Sequence, residues 1–248
     1  MLIASRNSFV VKPKWKNPYV TNGLVAMWDG EWNAGGGTHS DAITNWYDLT
    51  GNSHAFHAPS PVWNNNHAKY IADSNSLFRA TAAEAGWLRD LLATGTYSVE
   101  FVACPAPNRT DANFFMCWNE GSGFSTKGFI TNVNRTGLRF KAQASSNYDL
   151  SVEGVTSTSV RYMAVSVNGQ TGKIFVNSSS LNINSVPQFT VGNYGYAFGY
   201  RADLYNLNSR LTWIDGINLY RLSVYSRALS QEEISANYVL DKIRFNLP

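Results

Sequence analysis

Three kinds of side chain in this 248-residue chain could carry chemistry: carboxylates in strand-like segments, histidines close together in sequence, and aromatic rings beside amides. Hydrolysis of a glycosidic bond needs two carboxyl groups facing each other across the scissile bond, one protonated and one ionised. Glu100 is the one carboxylate inside a clearly alternating segment, and Asp149 and Glu153, in D-L-S-V-E, have the wrong partners for that work. An isolated strand acid reads as a solvent-face residue. All four histidines fall between His39 and His67. His54 and His57, in S-H-A-F-H-A, would project to opposite faces of a strand with no Cys or paired carboxylate beside them, so they read as surface or turn histidines rather than metal ligands. There is no Ser-His-Asp or Cys-His elbow, and G-G-G at Gly35 to Gly37 follows E-W-N-A in a loop rather than joining a strand to a helix. The expectation is a protein that is not an enzyme.

Rings beside amides and carboxylates support a different chemistry. Sugars present apolar ring faces and hydroxyls, so their sites combine exposed aromatics with Asn, Asp or Arg for hydrogen bonds. Two regions supply these ingredients: Trp32 in E-W-N-A-G-G-G-T-H-S, and the stretch G-N-Y-G-Y-A-F-G-Y-R-A-D-L-Y-N from Gly192 to Asn206. The candidate ligand-binding residues are therefore Trp32, Tyr194, Tyr200, Arg201, Asp203 and Tyr205. Trp28, Trp46 and Trp213 lie inside strand-like segments and are expected to be buried.

The elements that position these residues are mostly strands. The chain has 19 Gly, 13 Tyr, 13 Phe and 8 Trp, a composition of many strands and turns. Period-two alternation places Tyr97, Val99, Phe101 and Ala103 on one face, Met163, Val165 and Val167 on another, and Tyr220, Leu222 and Val224 on a third. V-N-G-Q-T-G, ending at Gly172, predicts a hairpin. Two helices are expected, one with Thr81 and Glu84 at capping-box spacing and Gly95 as its stop, the other capped by Ser230 with Glu233 reaching back and running to about Ile243. Cys104 and Cys117 are read as two unpaired, mostly buried thiols, because a hairpin between them would set Cys104 opposite a residue near Asn113. The fold class is all-β, a two-sheet antiparallel jelly-roll sandwich with one or two short helices.

Several segments together resemble the laminin G-like, concanavalin A-like lectin and glucanase jelly roll, in its non-catalytic branch. G-L-V-A-M-W-D at Gly23 to Asp29 looks like the family's opening strand, and W-Y-D-L-T-G-N-S at Trp46 to Ser53 like its characteristic turn. Arg161 to Asn177 is similar to the central hairpin, and L-S-V-Y-S-R-A-L-S-Q-E-E-I, Leu222 to Ile234, to the closing strand and its capped turn. The resemblance implies surface recognition, chiefly of carbohydrate or other proteins. It also implies a candidate calcium site at Asp29, Asp48 and Asn52. Against it, Tyr220 and Arg221 stand where relatives carry two acids, and Asp48 also suits a turn residue bonding its own backbone. No other cofactor is implied. In the family frame the aromatic stretch belongs to a long connection at the sandwich edge, with Tyr196 and Phe198 packed or subunit-facing.

The chain divides into an N-terminal arm, residues 1–22, and a jelly-roll domain, residues 23–248. The expected partner is a glycan or surface protein, with self-association or docking through residues 6–22. A net charge of +3 with scattered carriers predicts no nucleic-acid partner. No apolar run is long enough for a membrane span, and the N-terminus lacks the pattern of a classical secretory signal. The expected location is a cell or virion surface. The alternative function is structural, a decoration or fibre part of a bacteriophage virion or other large assembly.

Overall fold

Alternation along a strand sorts side chains between two faces, and a sandwich buries one face of each sheet against the other. The computed structural model describes residues 16–70, 78–81, 83–104, 111–119, 130–134, 137–141, 159–184, 186, 194–198 and 217–248. In it, one sheet runs in the order β13 (Ser179–Asn184), β12 (Thr171–Val176), β11 (Arg161–Asn168), β7 (Thr96–Cys104), β15 (Ile217–Tyr225), β5 (His67–Tyr70) and β4 (Val62–Asn64), with β1 (Leu24–Asp29) also paired to β15. The second runs β10 (Gly137–Lys141), β9 (Ile130–Asn134), β8 (Asp111–Asn119), β14 (Tyr194–Phe198), β6 (Arg79–Ala80), β3 (Ala55–His57) and β2 (Asn45–Tyr47). Every strand pairing among the described residues is antiparallel. The expected all-β sandwich is observed.

The inward faces match the alternation. Tyr97, Val99, Phe101 and Ala103 of β7 and Met163, Val165 and Val167 of β11 join Trp28, Trp46, Phe56 and Phe78 in the main core. Trp28 and Trp46 are fully buried, as expected, and Trp28 meets Phe56 edge to face at 4.8 Å. Trp213 lies outside the described residues. In β15 the pattern departs from expectation at one place: Leu219 and Leu222 both enter the core, and the register shifts between Leu219 and Arg221. A bulge of this kind sends two consecutive residues to one face. Tyr220 therefore leaves the face it was expected to share with Leu222 and Val224 and packs, with Tyr225, in a second apolar cluster.

That second cluster lies on the outer face of the first sheet, beneath the C-terminal helix α2 (Gln231–Phe245). The helix begins where the sequence predicts: Ser230 caps it, its side chain accepting from the Glu233 N–H while the Glu233 carboxylate accepts from the Ser230 N–H. Arg227 adds two bonds to Glu233, at 2.7 and 2.5 Å. The Arg227 guanidinium thus holds the Glu233 carboxyl below its ordinary value. A carboxyl depressed by folding stabilises the fold above the unfolded value and loses that contribution as pH falls through the folded one. Acidification below about pH 4 is expected to weaken the start of α2, and Glu233→Gln to remove that acid dependence, as followed by urea unfolding at a series of pH values.

The first helix, α1 (Gly86–Ala93), sets Leu88 and Leu92 in the main core. Thr81 and Glu84 form their reciprocal bonds one turn ahead of it, and Gly95 at φ +70° ends it, a backbone angle that favours glycine. Between β11 and β12 the turn falls at Gly169, φ +62°, within the expected hairpin. Two expectations are corrected. β7 and β8 do not form a hairpin but lie in different sheets, so the hairpin that would set Cys104 opposite a residue near Asn113 does not exist. The described part of the aromatic stretch is not an edge connection either: Tyr194–Phe198 is β14, bonded to β8 on one side and β6 on the other.

Candidate functional site

The carboxylates that invited a catalytic reading meet under α2. Glu100, on the outer face of β7, is fully buried rather than solvent-facing, because α2 roofs that face. The buried stripe of the helix, Ile234, Asn237, Tyr238, Asp241 and Phe245, brings an amide and an acid down onto the sheet. Between Glu100 and Asp241 lies Arg221 of β15, opposite Val102 on the outward face and also fully buried. Its guanidinium donates to Asp241 at 3.1, 3.0 and 2.5 Å, to Glu100 at 3.3 Å, and to Ser223. Asn237 donates to both oxygens of Glu100, and Tyr162 and Tyr225 donate to the same carboxylate.

Two carboxylates here share one guanidinium and a set of neutral donors. Burial pushes the Glu100 carboxyl up, opposed by Arg221 and by the donors from Tyr162 and Asn237. Burial works against the charge on Arg221, and the anionic surroundings of Asp241 and Glu100 outweigh it, holding the guanidinium protonated. Each acid in the cluster is committed to internal donors and sealed from a substrate. Such a cluster fixes how α2 sits on the sheet and does no acid–base work on a bound molecule.

The described end of the expected arm belongs to this structure. Tyr19 is buried, its hydroxyl donating to Asp241 at 2.6 Å and its ring lying 4.3 Å from the Arg221 guanidinium carbon. The Val20 N–H donates to Asn237. Tyr19 and Val20 are therefore held against α2 of their own chain.

At the C-terminal end of α2, Arg244 bonds Asp29 at 2.8 and 3.2 Å and Glu31 at 2.8 Å, and stacks 4.3 Å from the centre of the Trp32 ring. Trp32 is half-buried in this rim. Of the other predicted contact residues, Tyr194 lies in β14, and Tyr200, Arg201, Asp203 and Tyr205 fall outside the described residues.

Asp29, Asp48 and Asn52, the candidate calcium residues, each make bonds within the protein. Asp29 is fully buried, salt-bridged to Arg244, and accepts from the Glu31 N–H. One oxygen of Asp48 accepts from the N–H groups of Met27 and Thr50, as expected of a turn residue bonding nearby backbone. Asn52 donates to the Val25 carbonyl. A calcium ion beside Asp29 would have to displace a guanidinium. The histidines are equally dispersed: His54 stacks on Trp87 at 3.8 Å, His57 pairs with Glu84, His39 with Asp41, and His67 lies against Tyr220.

At the other end of α2 lies a cleft of about 350 Å³, between the helix start and the outer face of β11, β12 and β13. Its walls carry Asn168, Thr171, Lys173, Asn182, Asn184 and Gln231. The register orders most of them in two rows, Asn168–Thr171–Asn184 and Ser166–Lys173–Asn182. The sequence gives V-N-G-Q-T-G-K as a hairpin signal only. That its flanking amides point to the side roofed by α2 requires knowing which face the helix covers.

Comparisons with known proteins bear on the fold. No family model and no curated protein matches the chain. Among solved structures it is similar to the Trypanosoma rangeli sialidase in complex with sialic acid, with a TM-score of 0.63 and 13% identity, covering 89% of this chain and 33% of that one. It is also similar to the binding domain of Paraclostridial Mosquitocidal Protein 1, with a TM-score of 0.60 and 12% identity, covering 87% of this chain and 52% of that one. What is shared is a two-sheet β-sandwich. The chain spans about a third of the length of the sialidase it matches. Among the described residues there is no group of three His, Cys, Asp or Glu able to hold a metal ion, and no helix long and apolar enough to cross a membrane.

Proposed function

We propose that the chain is a non-catalytic surface recognition module of laminin G-like type that binds carbohydrate. The observation that carries this reading is the commitment of Glu100, Asp241 and Asp29 to internal guanidinium partners, while amides and hydroxyls line an open cleft. A hydrolase would need an exposed acid pair; a binding module needs polar groups that can exchange water for ligand hydroxyls. The two similar structures support it by what they are: one is a sialidase with sialic acid bound, the other a binding domain. The segments Gly23 to Asp29 and Leu222 to Ile234 support the laminin G-like assignment. Trp32, Tyr194, Tyr200, Arg201, Asp203 and Tyr205 remain proposed contacts from sequence, alongside the cleft. The comparisons lend nothing to the virion reading.

The test is an array of immobilised neutral and sialylated oligosaccharides exposed to the intact chain at neutral pH. Retention on a defined subset of glycans is expected. Absence of retention on every glycan at high protein concentration rejects the carbohydrate reading.

A further inference from the structure

We infer that the cleft between the start of α2 and the outer face of β11, β12 and β13 is the saccharide site; this rests on the recognition reading above and assigns it a place. Asn168, Asn182 and Asn184 are exposed, Gln231 is half-exposed, and the side chains of these four make no hydrogen bond to other described residues. Their neighbours behave differently. Ser166, in the same rows, is turned to internal use, bonding Ser98 and the Leu229 carbonyl. The unpartnered groups are therefore confined to the open part of the sheet, beyond the edge of α2.

The chemistry of the lining selects a ligand class. An amide offers both a carbonyl acceptor and an NH₂ donor, which suits a hydroxyl that also gives and takes. An anion of high charge would call for donors alone, and here the one cation in the lining, Lys173, interacts electrostatically with Glu232. Neighbouring strands stand about 4.8 Å apart and same-face residues about 7 Å apart along a strand. The two rows thus form a grid of donors and acceptors on the scale of a pyranose ring and its hydroxyls. Phe175 and Leu229 are buried beneath it and give an apolar floor for the C–H face of a sugar. A volume of about 350 Å³ falls in the range of small-ligand sites, roughly 300–1,000 Å³. A neutral or singly acidic saccharide meets all of these conditions.

The experiment compares the intact chain with Asn182→Ala/Asn184→Ala and with Trp32→Ala on the same array of neutral and sialylated oligosaccharides. Ser235→Ala, on the exposed side of α2, is the control. The intact chain and the control should be retained equally, and the double variant should lose at least about ten-fold in signal, equivalent to one hydrogen-bond pair or more, with an unchanged melting temperature. Full retention of the double variant overturns the assignment while leaving the recognition reading standing. Loss with Trp32→Ala but not with the double variant moves the site to the rim and likewise overturns it. If the intact chain is retained by no glycan, both fall together.

Discussion

Replacing Arg221 with methionine is expected to lower the unfolding free energy by about 3–5 kcal/mol, enough to unfold much of a marginally stable chain. The side chain is fully buried and is the shared partner of two fully buried carboxylates, Glu100 and Asp241. Methionine fills similar space but leaves both acids without their cation. Each must then protonate or draw water under α2, and either loosens the helix from the sheet. Urea unfolding measures the effect directly. Replacing the whole triad, Arg221→Met with Glu100→Leu and Asp241→Leu, should recover only part of the loss: it removes the uncompensated charges but leaves the Tyr19, Tyr162 and Asn237 donors buried without their acceptors. A single variant as stable as the wild type would mean that Arg221 is not the keystone of this face.

Tyr19→Ala should be nearly as damaging, at about 3–5 kcal/mol. The ring is buried against Arg221, so its loss opens a cavity beside a charge. Burial also pushes the phenol pKa up, keeping it a donor to Asp241 at any ordinary pH. Tyr19→Phe keeps the ring and removes only the hydroxyl, so it should cost about 1–3 kcal/mol, the loss of one hydrogen bond to a buried carboxylate. The order wild type, Phe, Ala in thermal melting places residue 19 inside the fold. It also follows that deleting residues 6–22 would weaken the domain itself, so lost assembly in that deletion would not by itself identify a docking arm.

What the sequence made legible, and what it hid, has a physical division. Period-two alternation placed Tyr97, Val99, Phe101 and Ala103 in the core, and the cap at Ser230 marked the start of α2, because these signals are local; the Thr81 box instead falls one turn ahead of α1, whose own N-cap, Ala85, makes no side-chain bond. Glu100 was misread because alternation says which residues share a face, not whether something roofs that face. The roof was hard to foresee: the buried stripe of α2 mixes Ile234, Tyr238 and Phe245 with Asn237 and Asp241, so it does not look like a covering helix. Arg221 alternates with Leu222 and so faces outward, where the same roof buries it. The aromatic stretch gave its strand but not its place, since pairing with β8 and β6 is set by partners far away in sequence. The cleft was invisible for the same reason: its rows come from three strands and a helix start that only the fold brings side by side.

Frontal affinity chromatography of the intact chain over immobilised neutral and sialylated oligosaccharides, with mass analysis of the column sugars afterwards, tests binding without turnover. The account predicts delayed elution on at least one oligosaccharide and column sugars of unchanged mass. Elution at the void volume on every column, or shortened sugars, would contradict it.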